Sequence, residues 1–411
     1  MANSFSTALS GLNANSTAID VVGNNLANLN TPGFKATAVS FHDLVTQSIG
    51  AGLGSTQVGF GVGTPITLRQ FSQGALQSTG GPLDAAIQGD GFFIVQAANS
   101  NTEYTRGGNF LVDTNGNLIT ATGEKVQGWT RTNGALNTNT AISNITVPVG
   151  ALAPPQATTT NSVDLNLNAS AVAGDQFSTS VQVYDSLGTS HIVTYAFTKT
   201  ATANQWTYSL TIPDADVTAP FTPVTGTLTF DSNGNLISPA ATDPPPQIGI
   251  TGLVDGASDM NISWNLFNGT TPRISQFSQP SATSAVAQNG SPAANLVSVG
   301  LADGGQVLAR YSNGQQVVVG QMAMATVRNP ESLIAAGNNN YQTSAISALP
   351  AIGLPGTGGR GSVLGGSVEA STVDIAKEFT NLIIYQRGYE ANAHMVKTED
   401  EISQTTINLK Q

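Results

Sequence analysis

The side chains best suited to proton chemistry near neutral pH are three histidines, His42, His191 and His394. His42 stands beside Asp43, but a catalytic dyad is assembled in space and not by adjacency. The three are far apart in the chain, so surface or core roles are expected of them. No Gly-x-Ser-x-Gly elbow occurs, and there is no cysteine, which removes disulfides, thiolate metal sites and cysteine nucleophiles. Asp113, Asn115, Asn117 and Glu124 occupy positions 1, 3, 5 and 12 of a calcium-loop pattern, yet position 6 is Leu118 where the motif needs glycine. The near-copy beginning at Asp231 has Thr242 at the last ligand position. A plain hairpin is expected at both. Gly356-x-Gly358-x-x-Gly361 spells a dinucleotide fingerprint, but it follows Pro355 and no helix opens after it. Met322 and Met324 lie in an alternating apolar run and read as buried strand residues. No catalytic, cofactor-binding or metal-binding residue is assigned, no cofactor is expected, and the chain reads as a non-enzyme.

Composition points the same way. Charged residues make up 9% of the 411, against roughly 25% in ordinary soluble proteins. Gly, Ser, Thr, Asn and Ala fill the gap, a mixture suited to strands, tight turns and surfaces that pack on other subunits. The net charge of -11 disfavours nucleic acid and anionic membranes as partners. The first basic residue is Lys35, so a cleavable secretory signal is not expected. No apolar run reaches the roughly 18 residues that a membrane helix needs.

With no chemistry to position, the elements themselves carry the functional signal. Phe5, Leu9, Leu12, Ile19, Val22 and Leu26 recur at helical spacing close to a heptad seam, with Asn3 or Ser4 as N-cap and Pro32-Gly33 as terminator. Gly23 inside this helix costs about 1 kcal/mol relative to alanine. At the other end Ile375, Phe379, Leu382, Tyr389, Ala393, Val396 and Ile407 fit a similar register, and Ser371 followed by Asp374 resembles a capping box. Each seam is too narrow to stand alone. Asn24, Asn25 and Asn28 are poor helix formers, and either side-chain bonds to backbone or turn formation accounts for them.

Between the ends the period is two. Val193, Tyr195 and Phe197, then Trp206, Tyr208, Leu210 and Ile212, then Met260, Ile262, Trp264 and Leu266 alternate with polar residues, as half-buried antiparallel strands do. Asn115-Gly116, Asn133-Gly134, Asn233-Gly234 and Asn313-Gly314 are hairpin signals. The fold class expected is mainly β with terminal α-helices, nested antiparallel β domains lying between an N-terminal and a C-terminal coiled-coil-like helix. Composition places a helical domain at 1–30 and 367–411, and a linker or irregular segment at 31–75 that includes the glycine-rich stretch 50–63. An outer β domain follows at 76–150 and 286–366, with a β insert at 151–285. Val147–Thr160 and Pro280–Pro292 read as the linkers of the insert, and Leu354–Gly366 as a connection into the last helix.

Ile19-Asp-Val-Val-Gly-Asn-Asn-Leu-Ala-Asn-Leu-Asn-Thr-Pro-Gly-Phe-Lys35 closely resembles the N-terminal signature of the flagellar rod and hook axial proteins. Val373-Asp-Ile-Ala-Lys-Glu-Phe-Thr-Asn-Leu-Ile-Ile-Tyr-Gln-Arg-Gly-Tyr-Glu-Ala-Asn392, continued by Lys397-Thr-Glu-Asp-Glu-Ile402, resembles their C-terminal signature. Leu83–Val95 and Tyr104–Phe110 are similar to strands of that family, and Val183-Tyr-Asp-Ser-Leu-Gly188 to its hook members. Leu29-Asn30 and Ala393-His394 depart slightly from the pattern. Length and the insert favour the hook branch over the distal rod or the hook-associated junction proteins.

The resemblance implies a self-assembling subunit of a curved, flexible tube that transmits torque from rod to filament. Expected partners are other copies of the chain in a helical tubular polymer, the rod, hook-cap and junction proteins, and the export apparatus. The expected place is the basal body and hook at the extracellular surface, reached without a cleaved signal. The helices would line the channel, and the insert would face outward. Subunit assembly would fall to Phe5, Leu9, Leu12, Ile19, Val22, Asn24, Asn25, Leu26 and Asn28 at one end. At the other it would fall to Ile375, Phe379, Leu382, Ile383, Gln386, Arg387, Tyr389, Asn392 and Val396. An adhesin-like surface β protein would not need paired terminal helices with these signatures, and a secreted β hydrolase would need a clustered acid/base constellation that the scattered histidines and carboxylates do not suggest.

Overall fold

The computed structural model describes residues 2–44, 46–49, 56–131 and 135–408. The chain divides into two compact units. One is Gly150–Val297 with Arg310–Gln315; the other gathers the chain up to Val149, Ser298–Ala309 and everything from Gln316 onward.

The second of these carries two helices, α1 (Ala2–Ala27) and α2 (Ile375–Asn408). α1 starts earlier than the sequence suggests, so Asn3 and Ser4 lie inside it and neither is its N-cap. It stops at Ala27, where the backbone N–H of Asn28 still bonds Asn24 O and a turn leads to Pro32. α2 is capped by Asp374 itself, whose carboxylate accepts the N–H groups of Ala376 and Lys377 at 2.9 and 3.2 Å. Ser371 lies before the helix and accepts Val373 N–H, so the expected box is a single aspartate cap.

The β part of this unit is built on Phe92–Gln96, whose first four residues are all buried, the mark of a central strand. It pairs antiparallel with Thr102–Thr105, Lys125–Thr130 and Met324–Thr326. Phe92, Ile94, Tyr104, Trp129 and Tyr341 form the core there, and Met322 and Met324 are buried as expected of strand residues. The segment 31–75 is less irregular than its composition suggests: Thr37–Ser40 pairs with Ile66–Arg69, and Thr46–Ile49 with Thr56–Gly59. Gly50, Gly52, Gly54 and the Asn133-Gly134 turn lie outside the described residues. The glycine-rich run 354–366 contains the strand Ser362–Gly365, which pairs with Ala85–Gln88. Ser367–Glu369 then pairs with Leu76–Ser78, so the returning chain is bound into the sheet before α2 begins.

The inserted unit holds two five-stranded sheets. Gln176–Tyr184, Ser190–Lys199, Gln205–Thr211, Val224–Phe230 and Leu236–Ser238 form an antiparallel meander. In the other sheet Thr160–Asn168 runs parallel to Met260–Trp264 and to Ile274–Phe277, pairings that alternation alone cannot distinguish from antiparallel ones. Pro280–Pro292 is no linker: Ala282–Gln288 is an antiparallel partner of Thr160–Asn168. Inward residues of both sheets make one core around Tyr195, Phe197, Trp206 and Trp264. Tyr195 and Tyr208 each meet the Trp264 ring edge-on at 5.2 Å between centroids.

The two Asp-x-Asn-Gly-Asn turns are built alike. The Asp113 carboxylate accepts Asn115 N–H, Asn117 N–H and the Asn117 side-chain amide, and Asp231 does the same with Asn233 and Asn235. These bonds hold both aspartates below the ordinary carboxylate range. Gly116 and Gly234 take φ of 81° and 80°, as the turn requires. Both aspartates therefore serve their own backbone. His42 and His394 are exposed and His191 is buried.

Because Trp264 is fully buried and touches three other aromatic rings, Trp264→Ala should destabilise the inserted unit by about 3–5 kcal/mol. Urea unfolding followed by the fluorescence of Trp206 would measure it.

Candidate assembly site

α1 and α2 lie antiparallel against each other, Gly11 opposite Asn392 and Asn25 opposite Glu378. The face that α1 turns to α2 is not the large apolar seam. Its buried residues are Ala8, Gly11, Ala14, Ala18, Val22 and Asn25, spaced by three and four. On α2 the inner stripe is Glu378, Asn381, Tyr385, Gly388 and Asn392, all buried or half-buried. Small side chains let two backbones approach, and that is how this pair is fitted.

The closest approach is reciprocal. A Cβ on Gly11 would lie 2.6 Å from the Asn392 side chain, and one on Gly388 would lie 2.7 Å from the Asn15 side chain. Each asparagine is held in place by its own helix: Asn15 donates to Gly11 O at 2.7 Å and Asn392 to Gly388 O at 2.8 Å. A Gly-x-x-x-Asn unit on one helix thus interlocks with the same unit on the other.

The large apolar residues point elsewhere. Phe5 and Leu9 of α1 are exposed, as are Ile375, Phe379, Ile383, Ile384, Tyr389, Met395, Ile402 and Ile407 of α2. Phe379 keeps 52% and Ile383 59% of its surface open. Leu12, Ile19, Leu26, Leu382 and Val396 are half-buried, and Gln386 and Arg387 are exposed, Arg387 pairing with Glu390 at 3.1 Å. Of the expected assembly residues, therefore, Val22, Asn25 and Asn392 belong to the contact between α1 and α2. Most others lie on or beside an unoccupied face. The heptad reading follows bulky side chains and passes over Ala8, Gly11, Ala14 and Ala18, which carry the pairing within the chain.

The asparagines divide their roles. Asn25 is buried, donates to Thr37 O at 2.8 Å and accepts Thr37 N–H at 3.0 Å, a backbone-like bridge from α1 to the following strand. Its amide also donates to Glu378 at 3.2 Å. Burial pushes the Glu378 carboxyl above its ordinary range, with Asn25 opposing the shift. Asn24 and Asn28 bond each other and the turn at the end of α1, and Asn28 accepts Thr31 Oγ1.

Below the helices the two chain ends are joined through buried charge. Lys35 Nζ lies 2.6 Å from Glu369 Oε1, and Arg106 Nη1 lies 3.1 Å from Glu369 Oε2. Lys35 and Glu369 are fully buried, and Arg106 nearly so. Every member has further partners: Lys35 donates to Ser72 O, Arg106 to Gly89 O, and Glu369 accepts Gly74 N–H. Burial still draws the Lys35 ammonium below its ordinary range, against the pull of Glu369. Gly33 packs so close to Arg106 that a Cβ would fall 2.4 Å from its carbonyl carbon, and φ there is 71°. Phe34, Ala36 and Val373 close a small apolar cluster beside the triad. Pro32-Gly-Phe-Lys35 therefore fastens the start of the chain to Glu369 at its return.

Comparison with known proteins follows the same layout. Residues 5–35 match the family described as Flagella basal body rod protein, and 364–409 match Flagellar basal body rod FlgEFG protein C-terminal. Residues 86–166 match Flagellar hook protein FlgE/F/G D1 domain, and 156–291 match Flagellar basal body protein FlaE D2 domain. The flagellar hook protein FlgE of Escherichia coli (strain K12) is 34% identical over 420 residues, covering 99% of this chain and 100% of that protein. That of Treponema pallidum (strain Nichols) is 32% identical over 465 residues and covers both chains fully. The crystal structure of the Helicobacter pylori flagellar hook protein FlgE2 shares the fold with a TM-score of 0.53 at 16% identity, over 70% of this chain and 98% of that one.

Two substitutions test the site. Gly11→Ala should loosen the helix pair by about 1–3 kcal/mol, and adding Asn392→Ala should restore part of it by making room for the new methyl group. Hydrogen exchange of α1 would report both. Glu369→Gln leaves two buried cations short of their anion and should cost about 3–5 kcal/mol in chemical denaturation.

Proposed function

The chain belongs to the family of flagellar hook proteins, and from that premise we propose that the outward apolar face of α1 and α2 is the surface on which its copies join. It is a structural subunit of the flagellar hook, an axial protein that polymerises. The distal rod and junction readings are not favoured, since relatives matched along the full chain are hook proteins.

The observation that carries the proposal is the split between the two helix faces. Pairing within the chain consumes the small residues and leaves Phe5, Leu9, Ile375, Phe379, Ile383 and Tyr389 without a covering surface. Burying one such side chain is worth about 1.5–3 kcal/mol, and in a helical tube only neighbouring copies are present at every subunit to do it. The helix pairs would then line a channel, with the β part of the same unit as wall and the inserted unit facing outward. Polar, weakly charged β surfaces slide with little desolvation cost, which suits a joint that bends while it transmits torque. Rod, hook-cap and junction proteins would meet the ends of the tube. Export through the flagellar apparatus to the extracellular surface belongs to the same reading. Among the described residues no helix is long and apolar enough to cross a membrane.

The test is the double variant Phe379→Ser, Ile383→Ser. Helix content and stability of the dilute chain should stay within about 0.5 kcal/mol of the parent, while tube formation seen by electron microscopy should be lost. Tubes of unchanged width would place the subunit contact on another face.

A further inference from the structure

The inserted unit contains a buried histidine. His191, the second residue of Ser190–Lys199, is 5% exposed. Its Nε2 lies 3.2 Å from Asp185 Oδ2 and its Nδ1 lies 3.1 Å from Asp216 Oδ2. Asp185 is fully buried, and its other oxygen accepts the N–H groups of Leu187 and Thr189, both at 2.8 Å. A third carboxylate joins from the loop before Met260–Trp264: Asp185, His191 and Asp255 bring one polar atom each to within 4.8 Å of one another. Two more acids lie nearby on the same elements and are turned to the backbone, Asp214 to Phe221 N–H and Asp259 to Gly252 N–H.

A neutral imidazole carries one N–H. Both nitrogens of His191 face carboxylate oxygens, so a neutral ring would set a nitrogen lone pair against one of them. A ring protonated on both nitrogens donates to Asp185 and Asp216 together and supplies positive charge among three acids. We propose that His191 is held as an imidazolium that bonds two segments of the inserted unit together, the turn at Asp185 and the short 3-10 helix Asp214–Asp216, and attracts the loop at Asp255 by its charge. The clasp opens when the ring loses its proton.

Burial pulls the ring toward neutrality, but its bonds to Asp216 and Asp185 outweigh that, and the net displacement is upward from 6.5. The linkage has a definite sign. In the unfolded chain the ring titrates near about 6.5. The stabilisation it gives is complete below that pH and is lost as pH rises through the higher folded value.

The test is histidine ¹³Cε1 NMR of the dilute full-length chain, its three signals assigned with His191→Gln. His191 should titrate at a higher pH folded than in urea. Asp216→Asn, at a side chain 29% exposed, should shift that midpoint downward while the fold persists. In thermal unfolding the parent should lose stability as pH rises above about 6.5 and through the higher folded midpoint of the ring, and His191→Gln should flatten that slope. A folded midpoint at or below the urea value, or no response to Asp216→Asn, would overturn the proposal. So would a signal that resists titration until a chelator is added, since a bound metal ion would then supply the charge.

Discussion

Two helices from opposite ends of one chain can meet only as closely as their smallest side chains allow. In this protein they meet through glycine, alanine and two interlocked asparagines. Because the α1 side of the seam is made mostly of small residues, it brings the backbones together and uses little of the apolar surface the helices own. The bulky residues of both are left on the outside, in a chain whose surface otherwise carries few charges. That imbalance, a pair well fitted inside and open outside, is the observation on which the proposed assembly surface rests.

The pair also needs a fixed base. A helix about 50 Å long, at 1.5 Å per residue for the 34 residues of α2, is a lever, and any play at its root is magnified along its length. Glu369 sits six residues before α2 and holds Lys35 and Arg106 in a buried triad. Asn25 bonds Thr37 and Glu378 just above it. A buried ion cluster contributes little net stability compared with apolar packing, but it is intolerant of misalignment, since each charge depends on the others for solvation. That intolerance suits a junction through which a joint must pass torque.

Much of this was legible in the residues. The period-two runs at Val193, Trp206 and Met260 form the strands they suggest, and the Asp-x-Asn-Gly-Asn turns form because aspartate caps its own backbone. What stayed hidden has physical reasons. A seam of Ala8, Gly11, Ala14 and Ala18 is silent to any reading that follows hydrophobic bulk, so of the residues expected on α1 only Val22 and Asn25 belong to its contact with α2. The tie between Lys35 and Glu369 spans most of the chain, and nothing local marks either residue as buried. Pro280–Pro292 has the composition of a linker but lies beside Thr160–Asn168, whose open edge it completes. The parallel pairings of that sheet depend on chain crossings, which alternation does not record.

The absence of cysteine allows a direct measurement of the central claim. A single cysteine placed at Ile383 would report whether the outer helix face is covered. Its rate of maleimide labelling should be high in the dilute chain and fall sharply in assembled tubes. Equal labelling rates in the two states would mean that the apolar face stays open after assembly, and the account given for it would be wrong.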